Sequence, residues 1–238
     1  MTAAVLPQPF DAAGRGASRW TRIAILAVLA VAAVRSVVIL SREGEVATAE
    51  ARLDEAPQTD ASGRVTPRIA IPWHEDGYPA RARVADALAL ARQAQASPDA
   101  AARHEMIERA AVEIQAALSR RPEWGEGWTV AAFIDELRYG DHNPSAIAAL
   151  ARSYRGAPYL RDAASWRVRF GLGAWDALDA ATQAKVIDEA VWLVRIDSTT
   201  AGPVFDLARQ SPAYPQLMLR WLAMRPGDAN FITDRSTP

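Results

Sequence analysis

The chain of 238 residues has no cysteine. That absence excludes disulfides, thiolate metal sites and a cysteine nucleophile, and it is compatible with any redox compartment. Lysine is nearly missing as well: apart from Lys185, the cationic charge is arginine, which with the abundant alanine reads as a GC-rich bacterial coding bias. The three histidines, His74, His104 and His142, form neither an HExxH motif nor an i, i+4 pair. Zinc-ligand spacing is therefore lacking, and all three are expected as solvated or capping residues. Neither sign of charge dominates, since 27 Lys and Arg face 28 Asp and Glu for a formal net charge of -1. Such a balance gives no bulk field for holding nucleic acid. A GxSxG elbow, a phosphate-cradling glycine loop and a dinucleotide fingerprint are also absent. No metal and no cofactor are expected, and catalysis is the lesser expectation.

What the sequence does contain is one long apolar run. Residues Ile23 to Leu40, IAILAVLAVAAVRSVVIL, are interrupted only by Arg35 and Ser36, against the roughly 20 apolar residues a single span needs. Arg15, Arg19 and Arg22 precede it with Trp20 at the interface position, and Glu43, Glu45, Glu50, Asp54 and Glu55 follow. The arginine bias predicts a single-pass inner-membrane protein with its N-terminus in the cytoplasm and the bulk of the chain in the periplasm. A competing reading takes Ile23 to Ala33 as the core of a signal peptide cleaved within AVAAVRS. The organisation expected is a cytoplasmic lead at 1–22, an anchor at 23–41, a linker at 42–78, a helical domain at 79–226 and a tail at 227–238. The linker holds one short helical stretch, EVATAEARL, before a region rich in proline and polar residues.

After Pro79 the apolar period is helical throughout, so the fold class is all-α. One stripe is Val84, Leu88 and Ala91; the next, Ile107, Ala110, Ala111, Ile114 and Leu118, lies behind Ser97 as N-cap and Pro98 in the first turn. Asn143 and Pro144 repeat that device ahead of Ile147, Leu150, Ala151 and Tyr154. Val186, Ile187, Ala190, Val191 and Val194 form a further face, and Tyr214, Leu217, Met218, Trp221 and Leu222 the last. With half of all residues hydrophobic, one main domain is the natural count. Short connectors such as GDHN, RGAP and DST make successive helices antiparallel neighbours. Helix pairs at about 79–121, 122–156, 157–196 and 199–224 approach the ~34–45 residue periods of helical-repeat arrays.

The stretch RPEWGEGWTVAAFIDELRYG, followed by NPSAIAALARSYRGAPY, resembles a divergent tetratricopeptide (TPR) unit, with Pro122 at a unit boundary, Trp128 and the small Ala131 and Ala132 in the first helix, and Ala148 and Ala149 in the second. The usual Leu-Gly and Tyr positions hold Ala131, Ala132 and Asp135 instead. RPEWGEGW, FGLGAWDALDAATQAKVIDEAVWLVRID and VFDLARQSP, in that order, are similar to membrane-anchored TPR-like accessory proteins of bacterial exopolysaccharide or O-antigen assembly. That resemblance implies a periplasmic scaffold that binds envelope or polysaccharide-assembly proteins, and it transfers no catalytic residues.

Three sets of side chains are candidates for a site. Large aromatics at helical spacing fill gaps between helices, which makes Trp128 a packing wedge, whereas Trp124, ahead of Gly125 and Gly127 at a helix entrance, is a candidate contact for a sugar or a partner. Arg152, Arg155, Arg161, Arg167 and Arg169 form either a solvated face or a basic strip for an acidic polysaccharide or partner surface. Glu123 with Glu126, or Asp135 and Glu136 with Asp141, supply the paired carboxylates of a glycan-acting enzyme; the alternative for the first pair is a favourable place at a helix N-terminus. A third possibility is a subunit of another envelope complex, its anchor packing through the small residues of AVLAVAAV.

Overall fold

The structure is a computed structural model that describes residues 13–56, 70–74 and 77–223, with side chains from Ala24 onward. The described residues are helical, with no strand among them: α1 Ala13–Glu55, α2 Ala80–Ala96, α3 Ala100–Arg120, α4 Gly125–Tyr139, α5 Pro144–Gly156, α6 Ala164–Gly173, α7 Ala180–Ile196, α8 Ala201–Arg209 and α9 Tyr214–Ala223. Contacts divide the chain into two compact units, Met1–Glu45 and Val46–Pro238.

In the first unit, the part of α1 from Ala24 onward is exposed along the apolar run, and by length and composition it is the one helix among the described residues able to cross a membrane. Arg15, Arg19, Arg22 and Trp20, on which the expected orientation rests, lie outside the residues whose side chains are described. So do the tail at 227–238 and residues 57–69 of the expected linker.

The second unit is built from helical hairpins. α2 packs on α3, α4 on α5, α6 on α7 and α8 on α9, while α4 also packs on α2 and α3, and α6 on α8. Local chemistry starts these helices. Asn143 accepts a hydrogen bond from the Ser145 N–H at 2.8 Å with Pro144 at the first position of α5, and Asp179 caps α7 through the Thr182 N–H at 2.7 Å. At α3 the cap is not Ser97. Asp99, two residues on, accepts from the Ala101 and Ala102 N–H groups, because a carboxylate outcompetes a hydroxyl for the orphan donors of the first turn.

The core runs through every hairpin, from Val84 and Leu90 past Ile114, Ile134 and Leu150 to Val186, Val191 and Leu217. Two departures from the sequence expectations concern its edges. The first is α2, which is buried nearly all round rather than along one stripe, because the end of α1 covers the side that α3 and α4 leave open. Val46 and Ala49 of α1 pack on Ala82 and Ala85, and Ala56 joins the main core. The segment expected as linker is thus helical to Glu55 and part of the domain from Val46. The second is Leu222, which is 75% exposed. At about 100° per residue it stands about 140° round α9 from the buried Leu217, so the two cannot share a face.

Besides the buried Arg83–Glu113 pair of α2 and α3, two larger polar clusters lock the unit. Arg167 and Glu189 are both fully buried and paired. Arg167 Nε donates to Glu189 Oε2 at 2.9 Å, and its Nη atoms donate to the carbonyls of Ala157 and Pro158 at 2.8 and 2.9 Å. Tyr154 Oη and the Leu160 N–H complete the carboxylate's shell, so α5, α6 and α7 share one satisfied ion pair. At the other end, the fully buried Asp86 accepts from Arg52 Nε and Nη2 at 3.0 Å each and from Tyr78 Oη at 2.9 Å, and lies 2.8 Å from His74 Nε2. The His74 and Tyr78 rings stack at 3.6 Å.

Candidate functional site

Three adjoining hollows lie over α2, α4 and the start of α6. The first, about 160 Å³, is lined by Leu88 and Arg92 from α2, Thr129, Val130 and Phe133 from α4, and Asp162, Ala163 and Trp166 at α6. A second, about 290 Å³, shares Leu88 and runs past Glu50, Leu53 and Arg81 to Trp124 and Glu126. The third, about 480 Å³, shares Arg121, Trp124 and Glu126 and ends at Gly156, Ala157 and Leu160. Together they form a trough walled by Trp124, Phe133 and Trp166.

The backbone of the third hollow is set by glycines. A Cβ on Gly125 would lie 2.6 Å from the Ala157 nitrogen, and one on Gly156 would lie 2.5 Å from the Glu123 carbonyl oxygen. The start of α4 therefore touches the end of α5 backbone to backbone, a contact only glycine permits. Trp124 supplies the N-cap backbone of α4 with no side-chain cap. Its indole is half-buried, covered on one side by the Arg121 guanidinium at 4.3 Å and close over Gly127, where a Cβ would be 3.5 Å from Cε3. The rest of the indole borders the second and third hollows. Trp128, four residues on, is half-buried against the core; its Nε1 donates to the Pro122 carbonyl at 2.6 Å, and Arg152 sits 4.5 Å above its ring.

The arginines grouped by sequence are not all on the surface. Arg167 is buried in the ion pair described above, and Arg152 lies on Trp128. Arg169 is 3.7 Å from Glu136. Asp179 and Asp197 are held below the usual carboxylate range chiefly by hydrogen bonds from Thr182 and Thr199, with Arg155 near the first and Arg161 near the second adding to the effect. Arg152, Arg155, Arg161 and Arg169 are exposed.

Of the candidate carboxylates, Glu136 lies close to Asp141 whereas Asp135 takes a different partner. Asp135 turns toward Ser145, and Glu136 accepts from Trp166 Nε1 at 3.1 Å. Burial pushes both above the usual range; for Glu136, nearby Arg169 opposes the rise and nearby Asp141 adds to it. Glu123 and Glu126 are exposed on the wall of the third hollow. Neighbours in sequence, Asp135 and Glu136 thus serve different helices.

His74 departs from the solvated reading, since its side chain is 7% exposed and bound to Asp86. His104 is exposed, and exposed His142 contacts the Gly173 carbonyl at 2.6 Å. Among the described residues no three His, Asp or Glu side chains converge in a metal-binding group. Sequence reasoning also missed Leu88, Arg92, Phe133 and Asp162. Phe133 and Trp166 meet edge to face at 5.8 Å across α4 and α6, a pairing no local spacing announces. Compared with protein-family models, curated proteins and solved structures, the chain shows no match.

Proposed function

We propose that this protein is a non-enzymatic, membrane-anchored interaction protein whose trough holds a segment of a protein partner. The observation that carries the reading is the aromatic-walled trough across α2, α4 and α6. The first helices of neighbouring hairpins pack pairwise, α2 on α4 and α6 on α8, which suits a TPR-like array, and such arrays bind along an extended face. The first hollow, apolar between Leu88, Val130, Phe133 and Trp166 and rimmed by Arg92 and Asp162, takes one large apolar side chain flanked by charges of both signs. Acidic polysaccharide fits less well, because Arg167 is buried in its pair with Glu189 and none of the five arginines lines these hollows.

The apolar run supports retention at a bacterial inner membrane, N-terminus in the cytoplasm and domain in the periplasm. The resemblance to accessory proteins of exopolysaccharide or O-antigen assembly supplies the setting, with the partner an envelope protein of that machinery.

The test places a photo-cross-linking residue at Asp162, on the trough, and at Val112, which is exposed on α3 and lines none of these hollows. Irradiated in its own membranes, the Asp162 variant should join to one discrete polypeptide and the Val112 variant to none. Equal cross-linking from both positions removes the trough as the docking face. Polysaccharide export measured in an Asp162→Arg strain addresses the setting separately: loss supports it, and wild-type export with the cross-link abolished assigns the partner to another envelope process.

A further inference from the structure

The end of α1 packs against α2, and its hold is largely polar. Glu50 pairs with Arg81 at 2.7 Å and Arg52 with Asp86 at 3.0 Å. An acid and a base thus meet a base and an acid across the seam. The apolar contribution is small by comparison. Apart from Val46, the buried apolar residues of the seam are alanines, Ala49 and Ala56 on α1 and Ala82 and Ala85 on α2, with Leu53 half-buried. Little apolar area is exposed if the two helices part, so the hydrophobic cost of opening is low. The strongest fastening is Asp86, whose carboxylate has lost its water and holds Arg52 from the strap and Tyr78 and His74 from the segment before α2. Two residues of the same stretch, Glu50 and Leu53, wall the second hollow of the trough beside Leu88 and Trp124.

We propose that residues 46–56 are a detachable strap, fastened by Asp86, which in the closed state covers the Ala82–Ala85 side of α2 and narrows the trough. Opening frees that side of α2 and extends the trough along it. The consequence for binding rests on the docking reading above, but opening itself is measurable with no partner present. A local contact of low apolar area opens at lower free energy than the core and independently of it.

The absence of native cysteine makes a thiol-labelling test clean. Ala82→Cys places a single thiol beneath the strap, at a fully buried position that lines none of the hollows, and Ala190→Cys places one in the fully buried heart of α7. In the full-length protein in detergent micelles, a maleimide should modify position 82 at least about tenfold faster than position 190, the difference between local and global opening. Asp86→Asn should raise the rate at 82 by about tenfold again and leave 190 unchanged. Should Asp86→Asn fail to fold, Arg52→Met removes the strap's half of the pair with α2 intact, and the same selective rise is expected. Equal rates at 82 and 190, or an equal rise at both in the variants, would overturn the strap. Selective labelling with no change in the Asp162 cross-link would preserve the strap and reject its role in docking.

Discussion

Arg167 is the residue whose meaning changes most between sequence and structure. Grouped with four other arginines it reads as surface, yet it is the buried partner of Glu189. Arg167→Ala should therefore cost about 3–5 kcal/mol, because it strands an uncompensated carboxylate in the core; urea titration followed by dichroism measures it, and a loss below about 0.5 kcal/mol would mean the site is solvated. Arg161→Ala, on an exposed side chain, should by contrast fall within about 0.5 kcal/mol of the parent in the same titration. Glu136 offers a test with a sign. Burial raises its pKa in the folded protein, so folding favours its protonated form, and the stability this contributes is present at low pH and lost as pH rises through the folded value. Glu136→Gln removes that loss. Relative to the parent, the variant should gain stability as pH rises above the usual carboxylate range, and thermal melts showing the opposite slope would contradict the assigned burial.

Among the elements, α4 is the one on which the trough depends, and its entrance depends on close backbone contact with α5. Gly125→Ala puts a methyl carbon 2.6 Å from the Ala157 nitrogen. Because backbone on both sides has to move, the substitution should destabilise by roughly 1–3 kcal/mol, the usual penalty for overpacking, despite alanine's better helix propensity. A stabilised variant in a denaturant titration would show that the two helices are further apart. Gly125 therefore serves the crossing of α4 and α5, whereas a Cβ on Gly127 would lie 3.0 Å from the Leu118 side chain, so the second glycine admits α3. Trp128 carries a hydrogen bond to Pro122 and a stacked Arg152 in addition to its core contact, which makes it a tie between connector, α4 and α5.

At the scale of the whole chain, the domain begins at Val46 rather than near Pro79. A truncated chain starting at Glu45 should melt several degrees above one starting at Pro79, since the shorter form exposes Ala82 and Ala85 and leaves buried Asp86 without Arg52. Equal melting temperatures would mean the α1 end contributes nothing to the fold. For the anchor, a C-terminal reporter that works only in the cytoplasm should be silent. Activity would reverse the orientation, and a mature N-terminus near Ala33 or Val34 would replace the anchor with a signal peptide.

The sequence by itself determined the helical class, the apolar run at 23–40, the cap at Asn143 and the buried faces of α3 and α7. Each depends on residues within a turn or two of one another, where the 3.6-residue period and capping chemistry act. It also located the Trp124 entrance, which now lines two hollows. Only the tertiary structure decided what spans longer separations. Arg52 meets Asp86 across 34 positions, Arg167 meets Glu189 across 22, and Phe133 meets Trp166 across a helical hairpin. A charged side chain carries the same formal charge on the surface and in the core. What makes Arg167 structural is a carboxylate on another helix, and what brings Leu88, Phe133 and Trp166 to one hollow is the tertiary placement of α2, α4 and α6.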